Sequence, residues 1–458
     1  MSDVSLYIAA SGLNAAQTGM DTVAENLANA NTAGYIRETP DLVTLPGGSV
    51  NAPGSGVEVV GIEQAVNSVY MANALTATSQ NGLATTANQT LQSIQAVFSG
   101  EPNGPGLSSQ LSAFWNDWDS VAQNPTSQAP RTVLVEDAKE VVTTLNDASA
   151  SISQVGRQSQ LQLVDLMSQA SDQLAQVAKL NTAIATAKAA GQDVSALVDQ
   201  QNELVTKLAG ELGVSAQYQP DGTVHLWVAG VSVVQGSSAD VLTAQFPAGQ
   251  PATISAHPGG NPSATVTVNP SSGQAAALLN ALNTQVPKYQ GLLDQVASSL
   301  ASLVNGQLAQ GYTLSGASGA NYPMFVSSTG APLNASDIEV NPAIVANPSD
   351  IAASSSATYT NNGENAQAMA ELYNAPNGPD SAFQGLIGDL GAATQAANDQ
   401  ADIAQSVLNS ANELNQSVSG VDMNNQEVDM LTYQQAFEAS AKTVATANQM
   451  MDSLLAAV

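Results

Sequence analysis

The side chains in this chain that could do chemistry are few and scattered. There are two histidines, His225 and His257. His225 falls in an alternating, strand-like run and His257 in a Pro/Gly-rich loop, and neither has a partner at the spacing of a metal site. Trp115-Asn116-Asp117-Trp118-Asp119 offers the carboxylates and aromatics of a sugar-cleaving site. Trp115 and Trp118, however, share one face of a helical pattern, which is how a core is built. Asp422, Asn424 and Gln426 imitate the first positions of a calcium loop, but Glu427 stands where that loop requires Gly. Gly104-Pro105-Gly106 lacks both the following Lys and the preceding strand of a phosphate loop. No catalytic, cofactor-binding or metal-binding residue is assigned, no cofactor is expected, and the chain reads as a non-enzyme.

Composition narrows the classes further. Nine basic residues oppose 38 acidic ones, for a formal charge of −29 over 458 residues. Six of the nine (Arg131, Lys139, Arg157, Lys179, Lys188 and Lys207) fall in one central helical region. Nucleic acid and anionic membrane surfaces both need clustered Lys and Arg, so neither is an expected partner. Cysteine is absent, which removes disulfides and thiolate chemistry. No run of apolar residues is long enough to cross a membrane. The N-terminus lacks the basic region of a cleaved secretory signal, so any export is expected to proceed without that type of cleavage. Hydrophobic residues make up 43% but aromatics only 4%, which suits Ala-rich helices lying close together.

The elements that would position these residues are mostly helices. Leu6, Ala9, Leu13, Ala16, Met20, Val23, Leu27 and Ala30 form one stripe at alternating three- and four-residue steps. Met430, Phe437, Ala441, Val444, Met451, Leu455 and Val458 form another, with Gln434 and Asn448 as polar steps. This is the spacing of a coiled-coil seam, and the Ala-rich stripes predict two terminal helices that need further neighbours for stability. Between them, the pattern predicts helix over 65–98, 107–212, 273–310 and most of the last hundred residues. Extended chain is expected over 40–63, with turns at Gly47-Gly48 and Pro53-Gly54, and Glu101–Gly106 stops the helix that precedes it. Asp221-Gly222 predicts a tight turn within a β meander over Gln217–Val234, and Thr265–Val268 a further strand.

The expected fold is mainly α with β insertions, in an elongated multi-domain chain. Residues 1–38 with 420–458 make a terminal coiled-coil domain. Residues 39–212, 273–312 and 361–419 make a helical bundle, 213–272 a small β-rich distal domain, and 313–360 an irregular or β segment.

Several motifs carry a resemblance. Ser11-Gly12-Leu13-Asn14-Ala15-Ala16 and Asn26-Leu27-Ala28-Asn29-Ala30-Asn31-Thr32-Ala33-Gly34-Tyr35 resemble the N-terminal signature of bacterial flagellar axial proteins. Asp199-Gln200-Gln201-Asn202-Glu203-Leu204 resembles an Asp-Gln-Arg-Asp-x-Leu element of the flagellar hook-associated protein 1 family, with Gln201 in place of Arg and Asn202 in place of the second Asp. Pro287, Tyr289, Leu293-Asp294, Val304-Asn305, Gly311-Tyr312, Ile338–Pro342, Asn347-Pro348 and Gln434–Phe437 follow in that family's order, with Gln307 where His is common.

The resemblance implies a structural part of the flagellum that joins hook to filament. It implies export, uncleaved, by the flagellar type III apparatus to an extracellular position. Hook protein, a second junction protein of the hook-associated protein 3 type, further copies of itself and an export chaperone on the C-terminal helix are the implied partners. The assembly interface is then expected at Leu6, Leu13, Met20, Leu27, Leu431, Gln434, Phe437, Ala441, Val444, Met451 and Leu455. An inter-domain bend is expected at Asn26, Asn29, Asn31, Gly34 and Tyr35. Another axial part, hook or distal rod, and a secreted adhesin remain the alternatives.

Overall fold

A computed structural model describes residues 2–32, 34–46, 54–98, 106–330 and 332–457. Ala33, Gly47-Gly48, Pro53, Glu101–Pro105 and Val458 lie outside this set, as does the side chain of Leu455. The first helix, α1 (Ser2–Asn29), leads into an antiparallel hairpin of β1 (Glu38–Leu45) and β2 (Gly56–Gln64). Four helices follow: α2 (Ser68–Phe98), α3 (Leu107–Gln123), α4 (Gln128–Ala189) and α5 (Ser195–Leu212). Short strands come next: β3 (Ser215–Tyr218), β4 (Val224–Val228), β5 (Val231–Gln235), β6 (Ser238–Ala239), β7 (Val241–Gln245), β8 (Thr253–His257) and β9 (Val266–Val268). They form two antiparallel meanders, β3-β4-β5-β6 and β7-β8-β9.

A long rod then runs through α6 (Gly273–Asn280), a π turn (Ala281–Gln285) and α7 (Val286–Leu308). A small hairpin of β10 (Phe325–Ser327) and β11 (Ile338–Val340) follows, with the short helices α8 (Pro342–Ala346) and α9 (Glu364–Ala370). The chain closes with α10 (Pro379–Ser419) and α11 (Met423–Ala457). The chain is mainly α with β insertions, as its patterning predicts.

Two cores share one helix. At 1.5 Å per residue, the 62 residues of α4 extend about 93 Å. Its first half packs Leu134, Val141, Leu145 and Ile152 against α3 and α7. The aromatics concentrate there: Phe114 lies edge-on to Trp115 and Trp118 at centroid distances of 5.1 and 6.2 Å, and Phe325 closes the cluster at 5.9 Å. The second half of α4 packs Leu163, Met167, Leu174 and Val177 against α5, α6 and the two meanders. Residues 213–272 therefore draw on the same core as α4 and α5, and a boundary at 212/213 would cut through it. Residues 313–360 likewise supply Phe325, Ile338, Ile344 and Ile351 to the first core.

Helix-borne asparagines fix strands to helices. Asn181 on α4 accepts from the Val224 N–H and donates to the Val224 carbonyl, both at 2.8 Å. Asn305 on α7 makes the same two bonds to Phe325 (2.7 and 3.1 Å), and Asn283 in the π turn makes them to Ala252 (2.7 and 2.9 Å). Each amide acts as one rung of a sheet ladder, satisfying buried backbone groups that would otherwise lose their water.

Candidate assembly interface

The terminal helices pair antiparallel. Three contacts set the register: Asn26 with Gln426, Gly19 with Tyr433, and Gly12 with Ser440. They step seven residues along each helix in opposite directions, the repeat of a coiled coil. The α1 side of the seam is Ala9, Gly12, Ala16, Gly19, Val23 and Asn26, small residues that let the helices approach. A Cβ at Gly19 would overlap the Tyr433 ring, and one at Gly12 would lie 2.9 Å from Ser440 Oγ. On α11 the inward column is Gln426, Met430, Tyr433, Phe437, Ser440, Val444, Ala447 and Met451.

The sequence-predicted residues divide around this seam. Phe437, Val444 and Met451 belong to it and are half-buried. Leu6, Leu13, Met20 and Leu27 form a column one residue beyond Gly12, Gly19 and Asn26. The first three are half-buried and Leu27 is 38% exposed. Gln434 and Asn448 likewise stand one residue beyond Tyr433 and Ala447 and are exposed; Ala441 is half-buried beside Ser440. Leu431 is 57% exposed. The displacement has a physical cause: close approach selects small residues for the centre, so the larger aliphatics flank it. Counting apolar residues alone overlooks Gly12, Gly19 and Asn26.

At the end of α1, Asn26 joins four segments. Only 1% exposed, it donates to the Glu38 carbonyl (2.8 Å) and to Gln426 Oε1 (2.9 Å). Its Oδ1 accepts from the Glu38 N–H (2.8 Å) and from the Tyr35 hydroxyl (3.0 Å). Asn29 closes the turn by accepting from the Thr32 N–H at 2.9 Å and, more weakly, from the Thr32 hydroxyl at 3.3 Å. Asn31 is exposed in that turn. Gly34 has φ +82° with open space where a Cβ would stand, so backbone freedom rather than room is what glycine supplies there.

Beyond the bend, the Arg37 N–H donates to the Ser419 carbonyl (2.8 Å) and ties the neck to the end of α10. Gln64 donates to Asp199 Oδ1 (2.8 Å) at the start of α5. Burial pushes the Asp199 carboxyl up to about 6, against the pull of the bonds from Gln64 and the Ile36 backbone. Burial also raises Glu38, and raises Tyr35 with help from the Glu38 charge. The Asp199–Leu204 element is thus a joint: Asp199 reaches the neck, Gln201 donates to Asn181 (2.8 Å), and Asn202 accepts from Tyr218 (2.9 Å). Reading the sequence missed Asn181 and Gln64; the family element around Asp199 was the available signal.

The chemistry-bearing residues of the sequence have structural positions. Trp115 and Trp118 are core, and Trp115 donates to Asp380 at 2.8 Å. Asp422 caps α11 by accepting from the Asn424 N–H at 2.9 Å. His225 stacks edge-on to Trp227, and His257 lies 3.1 Å from the Thr243 hydroxyl. Among the described residues no group of three or more His, Asp or Glu is placed to hold a metal ion, and no helix is long and apolar enough to cross a membrane.

Comparison with known proteins bears on both ends and on the body. Residues 6–35 match the family described as flagella basal body rod protein, and residues 415–457 the C-terminal family of the flagellar basal body rod FlgEFG proteins. Terminal helices of this kind, paired beneath a helical body, define an axial structural protein of the bacterial flagellum. The body is more specific. Residues 91–325, about half of the chain, match the flagellar hook-associated protein FlgK helical domain. The chain belongs to the flagellar hook-associated protein FlgK family, structural proteins of the hook–filament junction.

Flagellar hook-associated protein 1 of Bacillus subtilis is 24% identical, covering 98% of this chain and 97% of that one. The Salmonella typhimurium protein of the same name is 26% identical over 69% of this chain and 58% of its own length. The solved structure of the flagellar hook junction protein FlgK from Burkholderia pseudomallei shares the fold. Its TM-score is 0.67 at 16% identity, over 76% of this chain and all of that one.

Proposed function

We propose that this chain builds the hook–filament junction by polymerising through α1 and α11, with copies covering what one copy leaves open. The observation that carries the reading is the apolar surface left on the terminal pair. Val4 is 49% and Tyr7 60% exposed on α1; Val428 is 61%, Leu431 57% and Met450 54% exposed on α11. Inside the pair, burial falls largely on Ala, and at roughly 25 cal/mol per Å² such residues stabilise little. Stacked copies would bury the flanking Leu6, Leu13, Met20 and Leu27 column together with these residues.

In this reading the protein acts without catalysis, outside the cell, after uncleaved export by the flagellar type III apparatus. Hook protein lies on one side, and a second junction protein of the hook-associated protein 3 type on the other. An export chaperone shields α11 beforehand, as a helix held in a groove.

The test is the double substitution Val428→Asp with Leu431→Asp. Both side chains are exposed, so the monomer should keep its circular dichroism and its secretion. Motility should be lost, with hooks intact and filament subunits released into the medium. Normal swimming contradicts the reading, and missing hooks in a deletion strain point instead to a rod or hook part.

A further inference from the structure

The terminal helices each carry a second stripe that their own pairing leaves uncovered. On α1 the column of Leu6, Leu13, Met20 and Leu27 is filled in by Ala10, Gln17 and Ala24, so this uncharged stripe recurs every three or four positions. It lies about 100° around the helix from the Gly12–Gly19–Asn26 seam. A groove of about 470 Å³ runs beside it, between Met20 and Ala24 on α1 and Met430, Gln434 and Phe437 on α11, with Asp21 at its edge.

On α11, Val428, Leu431, Ala439 and Met450 alternate with Gln435, Lys442 and Thr446 at the same three- and four-residue steps, and all of them are exposed. This stripe faces away from α1, about 160° around the helix from the paired column. The acids Glu427, Asp429, Glu438 and Asp452 stand outside it. Lys442 is the only basic residue on either terminal helix. Among the described residues no carboxylate lies within ion-pair distance of it.

We infer that the outer stripe of α11 docks into the groove beside the α1 stripe of another copy of this chain, where Glu438 of the receiving copy meets the incoming Lys442. The proposal rests on the reading that copies assemble through their terminal helices, and says which surfaces meet. Two observations choose the occupant. The stripes match in length, about 32 Å each over Leu6–Leu27 and Val428–Met450, and in coiled-coil repeat. They also match in charge. Laid antiparallel and end to end, they bring Leu27 to Val428 and Leu6 to Met450, and so Lys442 to Leu13. Within the receiving copy Gly12 lies opposite Ser440, which sets Leu13 level with Ala439 and beside Glu438. Glu438 is one turn on from Gln434 in the groove wall. A register set by the stripe ends alone therefore delivers the one terminal cation to a carboxylate.

Within one copy the two stripes face apart, so only a second copy can join them. The contact uses two different surfaces. It is therefore heterologous, and copies add into a ring or an open helix instead of stopping at a dimer. At about 10 Å wide it covers roughly 320 Å² on each copy, below the roughly 800 Å² per partner of a free-standing interface. Two copies should therefore stay apart in dilute solution, whereas a copy inside a stack is held through both of its stripes.

The cysteine-free chain lets disulfides report the register. That register sets Gln17 against Ala439 and Ala10 against Thr446. Full-length double variants, Gln17→Cys with Ala439→Cys and Ala10→Cys with Thr446→Cys, are built into flagella and oxidised. Each should lose most of its monomer band to a ladder of multimers of this chain. Either single variant alone should stay uncrosslinked, and coexpressed Gln17→Cys and Ala439→Cys copies should stop at dimers. The secreted monomer should form no internal bridge, because Cα atoms more than about 7 Å apart cannot be joined without backbone movement. Maleimide labelling of Leu431→Cys before and after assembly separates the two claims. If Leu431→Cys is protected on assembly while neither pair gives a ladder, this docking fails alone. If Leu431→Cys stays reactive, the terminal reading fails and the docking with it. A single variant that crosslinks to itself, or a crosslink to a different protein, overturns the proposed occupant and geometry.

Discussion

The body around α3, α4 and α7 and the terminal pair α1–α11 are both helices packed on helices, yet they are held differently. In the body, Trp118, Phe114, Tyr289 and Phe325 are essentially inaccessible, and aliphatics from several elements close around them. Between α1 and α11 the buried apolar residues, among the described side chains, are Ala9, Ala16, Val23 and Ala447. Specificity there comes from shape and hydrogen bonds: a Tyr433 ring over Gly19, and an Asn26–Gln426 pair in place of an apolar layer. A buried polar pair of this kind fixes register at some cost in stability. The body is held by a thick aromatic and aliphatic core, whereas the terminal pair is held by close approach and hydrogen bonds; in the proposed function its remaining stability comes from neighbouring copies.

Three substitutions sharpen that contrast. The largest effect belongs to the body: Trp118→Ala should cost about 3–5 kcal/mol by leaving a cavity at the aromatic cluster, read as a shift of the urea midpoint. A loss below about 1 kcal/mol would break the comparison, since it would make the body as thinly held as the ends. Gly19→Val comes second, costing about 1–3 kcal/mol of terminal pairing because its side chain overlaps Tyr433. The body's unfolding transition should not move, while assembly and motility are lost.

The third concerns pH. Burial, then the hydrogen bond and charge of Asp137, push the Asp117 carboxyl in α3 up to about 7. The folded chain thus holds a proton that the unfolded chain releases near pH 4. That contribution is full below about pH 4 and is lost as pH rises towards 7. Asp117→Asn should therefore flatten the fall of body stability between those limits and leave the terminal helices unaffected. An unchanged slope contradicts the assignment.

Much of this was legible beforehand, and what was not has definite causes. The helix and strand periods place the long helices, and Asp221-Gly222 marks the turn between β3 and β4, but β7 and β8 lie in a stretch that the pattern does not mark as strand. The terminal stripes are legible as sticky helices, and Ala9, Ala16, Val23, Met430, Phe437, Val444 and Met451 of those stripes lie in the seam, but Gly12, Gly19, Asn26 and Ser440 are not legible, because glycine, serine and asparagine at a close approach carry no hydrophobic signal. The asparagine rungs are hidden for a related reason. Asn181, Asn283 and Asn305 look like surface residues in an Asn-rich chain, and only tertiary structure brings Val224, Ala252 and Phe325 to them. Segments 213–272 and 313–360 look separable by composition, although long-range packing merges them with the two cores.

Amide hydrogen exchange across α1 and α11, followed in the secreted monomer and in assembled flagella, tests the central claim most directly. In the monomer both helices should exchange orders of magnitude faster than α3 and the first half of α4, and in the assembled state they should approach the protection of those helices. Terminal helices already as protected in the monomer as the body would contradict the account.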